Sequence, residues 1–471
     1  MALHKFLKER MPVAKELVTK LKETYPFVSV LGSYNLTKQI FSDTFTTVVN
    51  EIDNDCGFVF RIYDGKHFSE YSTNEIVGLK VEDIINAISS IPDDFKTVDV
   101  SSLQEEEMVK SFERNDEHPL SDEEVLNRLN DIRSYCEKYD ERIIQVRCAC
   151  IKREVSKFYI SDKKCLDQYY VWVNGALLVV AREGNIIQST YKTENEADTL
   201  LTLTKLDAIK EDTCELAIQK LSATTIEPGV YDIITDPTIT GLIAHEAFGH
   251  GVEMDMFVKE RAKAANYINK RVASDLVNMH DGASAVLSAA SYFFDDDGIL
   301  ASDTTIIENG ILKTGISDAL SALQLNTKPT GNGRREAFDH KVYTRMTNTF
   351  FSAGKDKLED MIASIKHGYY LCDTNNGMED PKNWQIQCTA EYGLEIKDGK
   401  FTGKIVAPVV MSGSVLELLN SISMVSDQFV VTGSGMCGKG HKEWVFVSDG
   451  GPHLKARAKL GWLKLKQYSI I

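Results

Sequence analysis

The chain has 471 residues, 43% hydrophobic and 26% charged, an ordinary globular composition with length for two or three cores, which excludes a disordered chain. Its 53 Lys plus Arg against 69 Asp plus Glu leave a formal charge of −16, so the surface repels phosphate backbones and anionic lipid, and neither nucleic acid nor a membrane is expected as a partner. The opening MALHKFLKERMPVAKELV lacks a sustained apolar core and a small-residue cleavage site, and nine scattered cysteines fit a reducing cytosol, so a soluble, cytoplasmic protein is expected.

Residues 1 to about 100 alternate amphipathic stretches such as FLKERMPVAKELVTKLKETY with strand-like runs such as DTFTTVVNEID and CGFVFRIYDGKHFSEYST, which predicts a mixed α/β opening. In the acidic stretch that follows, Ser121 and Glu124 form a capping-box pair, and Val125, Leu129 and Ile132 recur at helical spacing, so a solvated helix begins there. Strands are expected at 142–152, 156–161, 168–182 and 186–192, and a helix over about 195–221. Cys148 and Cys150 alternate onto one strand face, where sheet packing explains them better than a metal, since no second pair lies nearby.

Around IEPGVYDIITDPTITG the character changes, and the domain boundary is placed near 225, giving domains of 1–225 and 226–471. Beyond it, Asn309-Gly310 and Asp398-Gly399 are two-residue hairpin turns. The fold class is therefore α+β: a mixed α/β N-terminal domain, then a mainly antiparallel-β C-terminal domain.

Chemistry concentrates in GLIAHEAFGHGVEMD, residues 241–255. His245 and His250 flank Glu246 in an apolar, half-buried run. Neutral imidazole suits zinc, and a carboxylate beside a ligand can take a proton from the attacking water. Histidines five apart diverge by roughly 140° around a regular α-helix, so both reach one ion only if the segment contains a π-type turn or the helix ends at Gly249. A third ligand must come from elsewhere. Asp255, His280, His340, His441 and His453 are possible, while Glu253 and Cys437, the latter in a glycine-rich turn, stand level on spacing alone. In the same loop Gly433, Gly435 and Gly438 imitate a dinucleotide fingerprint, but a β-like run follows where a helix is required, which argues against nucleotide binding.

The HEAFGHG string, RMTNTFF at 345–351, SISMVSDQFVVTGSGMCGKG and the closing SDGGPHLKA together resemble the TldD/PmbA family of metalloproteases, in order and in spacing. The likeness covers most of the chain and is strongest from about 225 onward. It implies a zinc site, one ion per chain, of His245, His250 and Cys437, with Glu246 as general base, and it moves the third ligand from Glu253 to Cys437. It further implies a catalytic chain of the TldD-like type that hydrolyses unfolded or extended peptides, and a closed dimer, either a homodimer or a heterodimer with an inactive sister chain. His340, Tyr343, Arg345 and His441 are chemically suited to stabilise an oxyanion. Arg334, Arg335 and Lys439 are expected as solvated surface cations, although each could grip a carboxylate. A competing reading is a peptide-holding subunit without catalysis, disfavoured by the retained Glu246.

Overall fold

The computed structural model describes residues 3–97, 100–101, 103–431, 435–440 and 443–462. In chain order the first elements are α1 (Lys5–Leu21), β1 (Phe27–Asp43), β2 (Thr47–Tyr63), β3 (Phe68–Thr73), α2 (Val81–Ser89), β4 (Met108–Arg114), α3 (Asp122–Glu137), β5 (Ile143–Ser161), β6 (Lys164–Glu183), β7 (Ile186–Glu196), α4 (Thr199–Ala208) and α5 (Lys210–Gln219). The strands form one sheet in the order β3-β2-β1-β5-β6-β4, with β7 beside the rest of β6. All pairings are antiparallel except β4 with β6.

Side-chain alternation decides what covers each face of this sheet. Val28, Phe58 and Phe158 turn to α1 and α2, whereas Cys148, Cys150, Leu177 and Val179 turn to α3, α4 and α5. The two cysteines are buried sheet residues, as expected, and all nine cysteines are free thiols. α3 begins at the expected capping box, with Glu124 N–H donating to Ser121 Oγ and the Glu124 carboxylate accepting from Ser121 N–H. Its inner stripe of Val125, Leu129, Ile132 and Cys136 is buried, so Leu129→Ala is expected to destabilise the protein by about 2–5 kcal/mol, read from the urea midpoint. A loss below about 1 kcal/mol would mean that this stripe does not pack as a core.

Two boundaries differ from the sequence expectation. The runs at 142–152 and 156–161 are one continuous strand, because the residues between them stay in the ladder on both sides: Arg153 stands opposite Thr37 and Trp172, and Glu154 opposite Leu36 and Val171. The expected helix over 195–221 is divided at Ile209 (φ −92°, ψ 0°) into α4 and α5, and β7 runs on through Glu196.

Among the described residues the remaining strands build two larger sheets, besides a short pairing of Gly333–Arg334 with Tyr343–Thr344. In one, Gly229–Thr235, His367–Asp380, Gln385–Lys397, Val409–Ser414 and Leu454–Gly461 pair in a closed ring, with Lys400–Val406 outside it. Ring closure removes the sheet edges and encloses a core that includes Ile233, Leu371, Ile386 and Met411. In the other, Asn348–Phe351 lies between Met279–Asp281 and Val445–Gly451, parallel to the latter. Both predicted hairpin turns are present, with positive φ at Asn309, Gly310, Asp398 and Gly399. Mixed α/β and mainly antiparallel-β regions follow one another as the sequence predicts. They meet through buried polar contacts: Arg61 with Asp297, Arg335 with Glu70, Lys157 with Asp296, and Gln168 Nε2 donating to Phe294 O at 2.9 Å. Arg335 is thus a buried pairing residue and not a surface cation. Among the described residues no helix is long and apolar enough to cross a membrane.

Candidate metal centre

The histidine segment starts from a capped helix. Asp236 accepts a hydrogen bond from Ile239 N–H at 2.8 Å and Pro237 takes the first helical position, where its missing N–H costs nothing. After Leu242 the chain widens into a π-turn over Ile243–Gly249, and His250 N–H donates to His245 O, an i to i+5 bond. This is the device that five-residue spacing requires: the rings of His245 and His250 meet edge to face with centroids 5.1 Å apart. Gly249 is needed for packing, since a Cβ there would stand 2.1 Å from Met346 Sδ.

Cys437 arrives from the other end of the sequence. It ends the short strand Gly435–Cys437, which pairs with Val445–Gly451 and sets Cys437 opposite Val445. Its Sγ lies 3.2 Å from His245 Nε2 and 3.4 Å from His250 Nε2. Tetrahedral zinc with bonds of about 2.0 Å to nitrogen and 2.3 Å to sulfur sets such atoms about 3.5 Å apart, so the donors stand nearly where one cation would hold them. Among the described residues His245 Nδ1 is buried without a hydrogen-bond partner. Burial alone pushes the Cys437 thiol up, but the two imidazoles outweigh it and bring it down to about 4, which supplies the thiolate a metal needs. A thiolate with two imidazoles is a borderline-soft set that suits zinc.

Glu253, the rival third ligand, lies behind the site. Its carboxylate is 3.6 Å from His250 Nδ1, the ring nitrogen facing away from Cys437, and 3.0 Å from Lys439 Nζ. Burial pushes Glu253 up, while Lys439 and His250 outweigh that and hold it well below the usual carboxylate range. This is the position of an outer carboxylate that orients a ligand ring. Glu253→Gln is therefore expected to keep the metal but weaken its binding about 10–100-fold, measured by competition with a chelator. Complete metal loss in that variant would instead make Glu253 a ligand. Lys439 also reaches Asp255 at 2.7 Å and is half-buried and paired, contrary to the expected solvated cation, because two carboxylates offset its desolvation.

Arg345, fully buried, donates from Nη2 to both Cys437 Sγ and Cys437 O at 2.9 Å, and its Nε faces Glu253 at 3.3 Å. Its guanidinium ties the thiol to the carboxylate behind His250. RMTNTFF thus contributes a site residue and, from Asn348, a buried strand; Thr347 and Thr349 both donate their hydroxyls to Asp281.

Glu246 lies beside the donors, Oε1 4.0 Å from His245 Nε2. It shares with them a cleft of 1090 Å³ whose walls also include Thr238, Met378, Met436, Trp444 and Asp449. Burial pushes Asp449 up to about 6 and raises Glu379, another cleft carboxylate, well above its usual value. Neither was singled out from sequence. Asp449 lies inside SDGGPHLKA, but nothing in the spacing marks it as a neighbour of His245.

The other candidates lie elsewhere. His280 pairs with Asp303 at 2.8 Å, His453 meets Tyr370 Oη at 3.0 Å, His340 sits between Glu336 and Glu443, and Tyr343 is surrounded by lysines. His441 and Gly433 lie outside the described residues. The strand Val445–Gly451 follows the glycine loop, with no helix N-terminus to receive a phosphate.

Residues 228–458 match the family described as the PmbA/TldA metallopeptidase C-terminal domain. A metalloprotease TldD homolog of Buchnera aphidicola is 34% identical over 252 residues, 53% of this chain and 52% of that protein; that alignment spans about half the relative's length. A zinc metalloprotease TldD homolog of Saccharolobus solfataricus is 26% identical over 418 residues, 86% of this chain and 89% of the relative. TldE of Thermococcus kodakarensis, at 17% identity, shares the fold with a TM-score of 0.75, covering 96% of this chain and all of that one. In sequence and in fold, the chain belongs to the TldD/PmbA family of metallopeptidases.

Proposed function

We propose that this protein is a zinc-dependent metalloprotease that hydrolyses peptide bonds in unfolded or extended segments. The observation that carries the reading is the meeting of the Cys437 thiol with the imidazoles of His245 and His250 in a cleft that also holds Glu246. His245, His250 and Cys437 would hold one zinc ion per chain, which supplies Lewis acidity towards water and the scissile carbonyl. Glu246 accepts the proton of the attacking water and returns it to the leaving amine. Arg345 donates to the Cys437 sulfur and holds it in place.

Met378, Met436 and Trp444 line the cleft and are 59%, 48% and 42% exposed. These apolar side chains suit a segment whose own hydrophobic residues are uncovered, as in an unfolded chain. Selection then rests on whether a segment is thin enough to enter, and main-chain contacts give broad sequence tolerance. The same reading makes the protein cytoplasmic and one half of a dimer, formed with its own copy or with an inactive sister chain.

The test is cleavage of one protein presented folded and unfolded, with and without chelator. Cleavage confined to the unfolded form, abolished by chelation and restored by zinc, is the expected result. Equal cleavage after complete metal removal would refute the reading.

A further inference from the structure

The buried and half-buried cations among the described residues are mostly paired with acids. Arg61 meets Asp297, Arg335 meets Glu70, Lys157 meets Asp296, Arg345 meets Glu253 and Lys439 meets Glu253 and Asp255. That is the ordinary requirement for charge removed from water. Arg114, Arg153 and Arg334 depart from it: among the described residues none of the three is ion-paired with a carboxylate, in a chain with sixteen more acids than bases.

Two of the three flank Trp172, and the third lies near Arg153. Arg153 on β5 is the cross-strand partner of Trp172 on β6, and Arg114 on β4 is the partner of Tyr170, two residues before Trp172 and hence on the same sheet face. The Arg114 guanidinium lies 5.6 Å from the Tyr170 ring centre and 5.7 Å from that of Trp172; that of Arg153 lies 3.1 Å from the ring centre of Phe446. Arg334 approaches from the C-terminal half, within electrostatic reach of Arg153 and donating from Nη1 to Met346 O. Among the described residues three donors here have no acceptor: Arg114 Nε, Arg153 Nη2 and the indole N–H of Trp172, a residue only 2% exposed. Buried donors are nearly always satisfied. Three together, with three positive charges and no acid, describe the negative image of an anion. Burial brings Arg153 down to about 9, which leaves it charged at neutral pH.

We propose that Arg114, Arg153 and Arg334, with the indole N–H of Trp172, form a binding site for a small oxyanion, a carboxylate or a phosphate. Phe446, which covers Arg153, pairs with Met436, whereas Cys437 pairs with Val445. The site therefore lies against the face of this ribbon opposite the Cys437 thiol. An anion seated there ties β4, β5 and β6 to the ribbon that carries the metal donor.

The site is independent of the metal, so its test uses the full chain after chelation. The thermal unfolding midpoint is followed at constant ionic strength against inorganic phosphate, and against an N-acetylated tripeptide offered as free acid and as amide. A saturating rise of about 2–4 °C is expected. A response to phosphate alone identifies a phosphoryl ligand; a response to the free acid but not the amide identifies a peptide carboxylate. Arg153→Met is expected to abolish the rise and, without anion, to unfold no earlier than the parent, because it removes a charge that has no partner. Arg114→Gln is expected to weaken the response at least about 10-fold, the share of one charge-assisted contact. No saturable rise in the parent, an equal rise in parent and Arg153→Met, or an anion-free midpoint lowered by Arg153→Met would each overturn the proposal.

Discussion

Glu246→Gln is expected to lower peptide turnover about 10²–10⁴-fold while leaving metal content unchanged. The amide keeps the volume and the cleft position of the carboxylate, beside His245 and against Gly377, but cannot take a proton from water. Because Glu246 lies outside the cluster of His245, His250 and Cys437, losing its charge costs no ligand. The loss should fall on kcat with KM little changed, since the proton moves only on the way to the transition state. Retained turnover in a metal-loaded variant would remove Glu246 from the reaction and turn attention to Asp449 and Glu379, two further carboxylates of the cleft.

The second large effect is expected at the donors. His245→Ala and Cys437→Ser should each lose the metal outright under conditions in which Glu253→Gln still holds it, and activity should fall with the metal. The distinction follows from position. Cys437 Sγ faces both imidazoles at 3.2 and 3.4 Å, whereas Glu253 reaches only the far nitrogen of His250. A serine hydroxyl is a weak ligand that stays protonated at neutral pH, and the charge balance also changes: with the thiolate gone, Arg345 Nη2 loses its ionised acceptor. Elemental analysis of the purified variants reads this directly. Full metal occupancy in Cys437→Ser would sink the three-donor site even if the histidines remained essential.

Much of the fold was legible in the sequence because its signals are local. The capping box at Ser121 and Glu124, the alternation that buries Cys148 and Cys150, and the Asn309-Gly310 and Asp398-Gly399 turns each depend on residues within a few positions of one another. Boundaries failed where a partner remote in sequence made a local rule inapplicable. Arg153 and Glu154 read as a break until β1 and β6 pair with them on both sides, and the helix after β7 divides at Ile209 without a Gly or Pro to announce it.

The histidine segment shows how far spacing reaches. Two imidazoles five apart demand a π-turn if they share one ion, and the turn is present. Spacing alone could not choose between Glu253 and Cys437. The family likeness favoured the cysteine, and the register of Cys437 against Val445 brings it to the rings while Lys439 holds Glu253 behind them.

What the amino-acid order determined by itself was the class of the protein, the histidine–glutamate–histidine segment with its backbone distortion, and the short-range turns, since each is set by neighbours along the chain. Which sulfur faces the imidazoles, which arginine steadies it, that Arg335 is buried and Lys439 paired with two carboxylates, and that Arg114, Arg153 and Arg334 have no acid partner among the described residues were decided only by tertiary structure. Those outcomes depend on desolvation and on charges up to some 260 residues apart, as with Glu70 and Arg335, and the cost of burying a charge is defined only once the fold has chosen its partners.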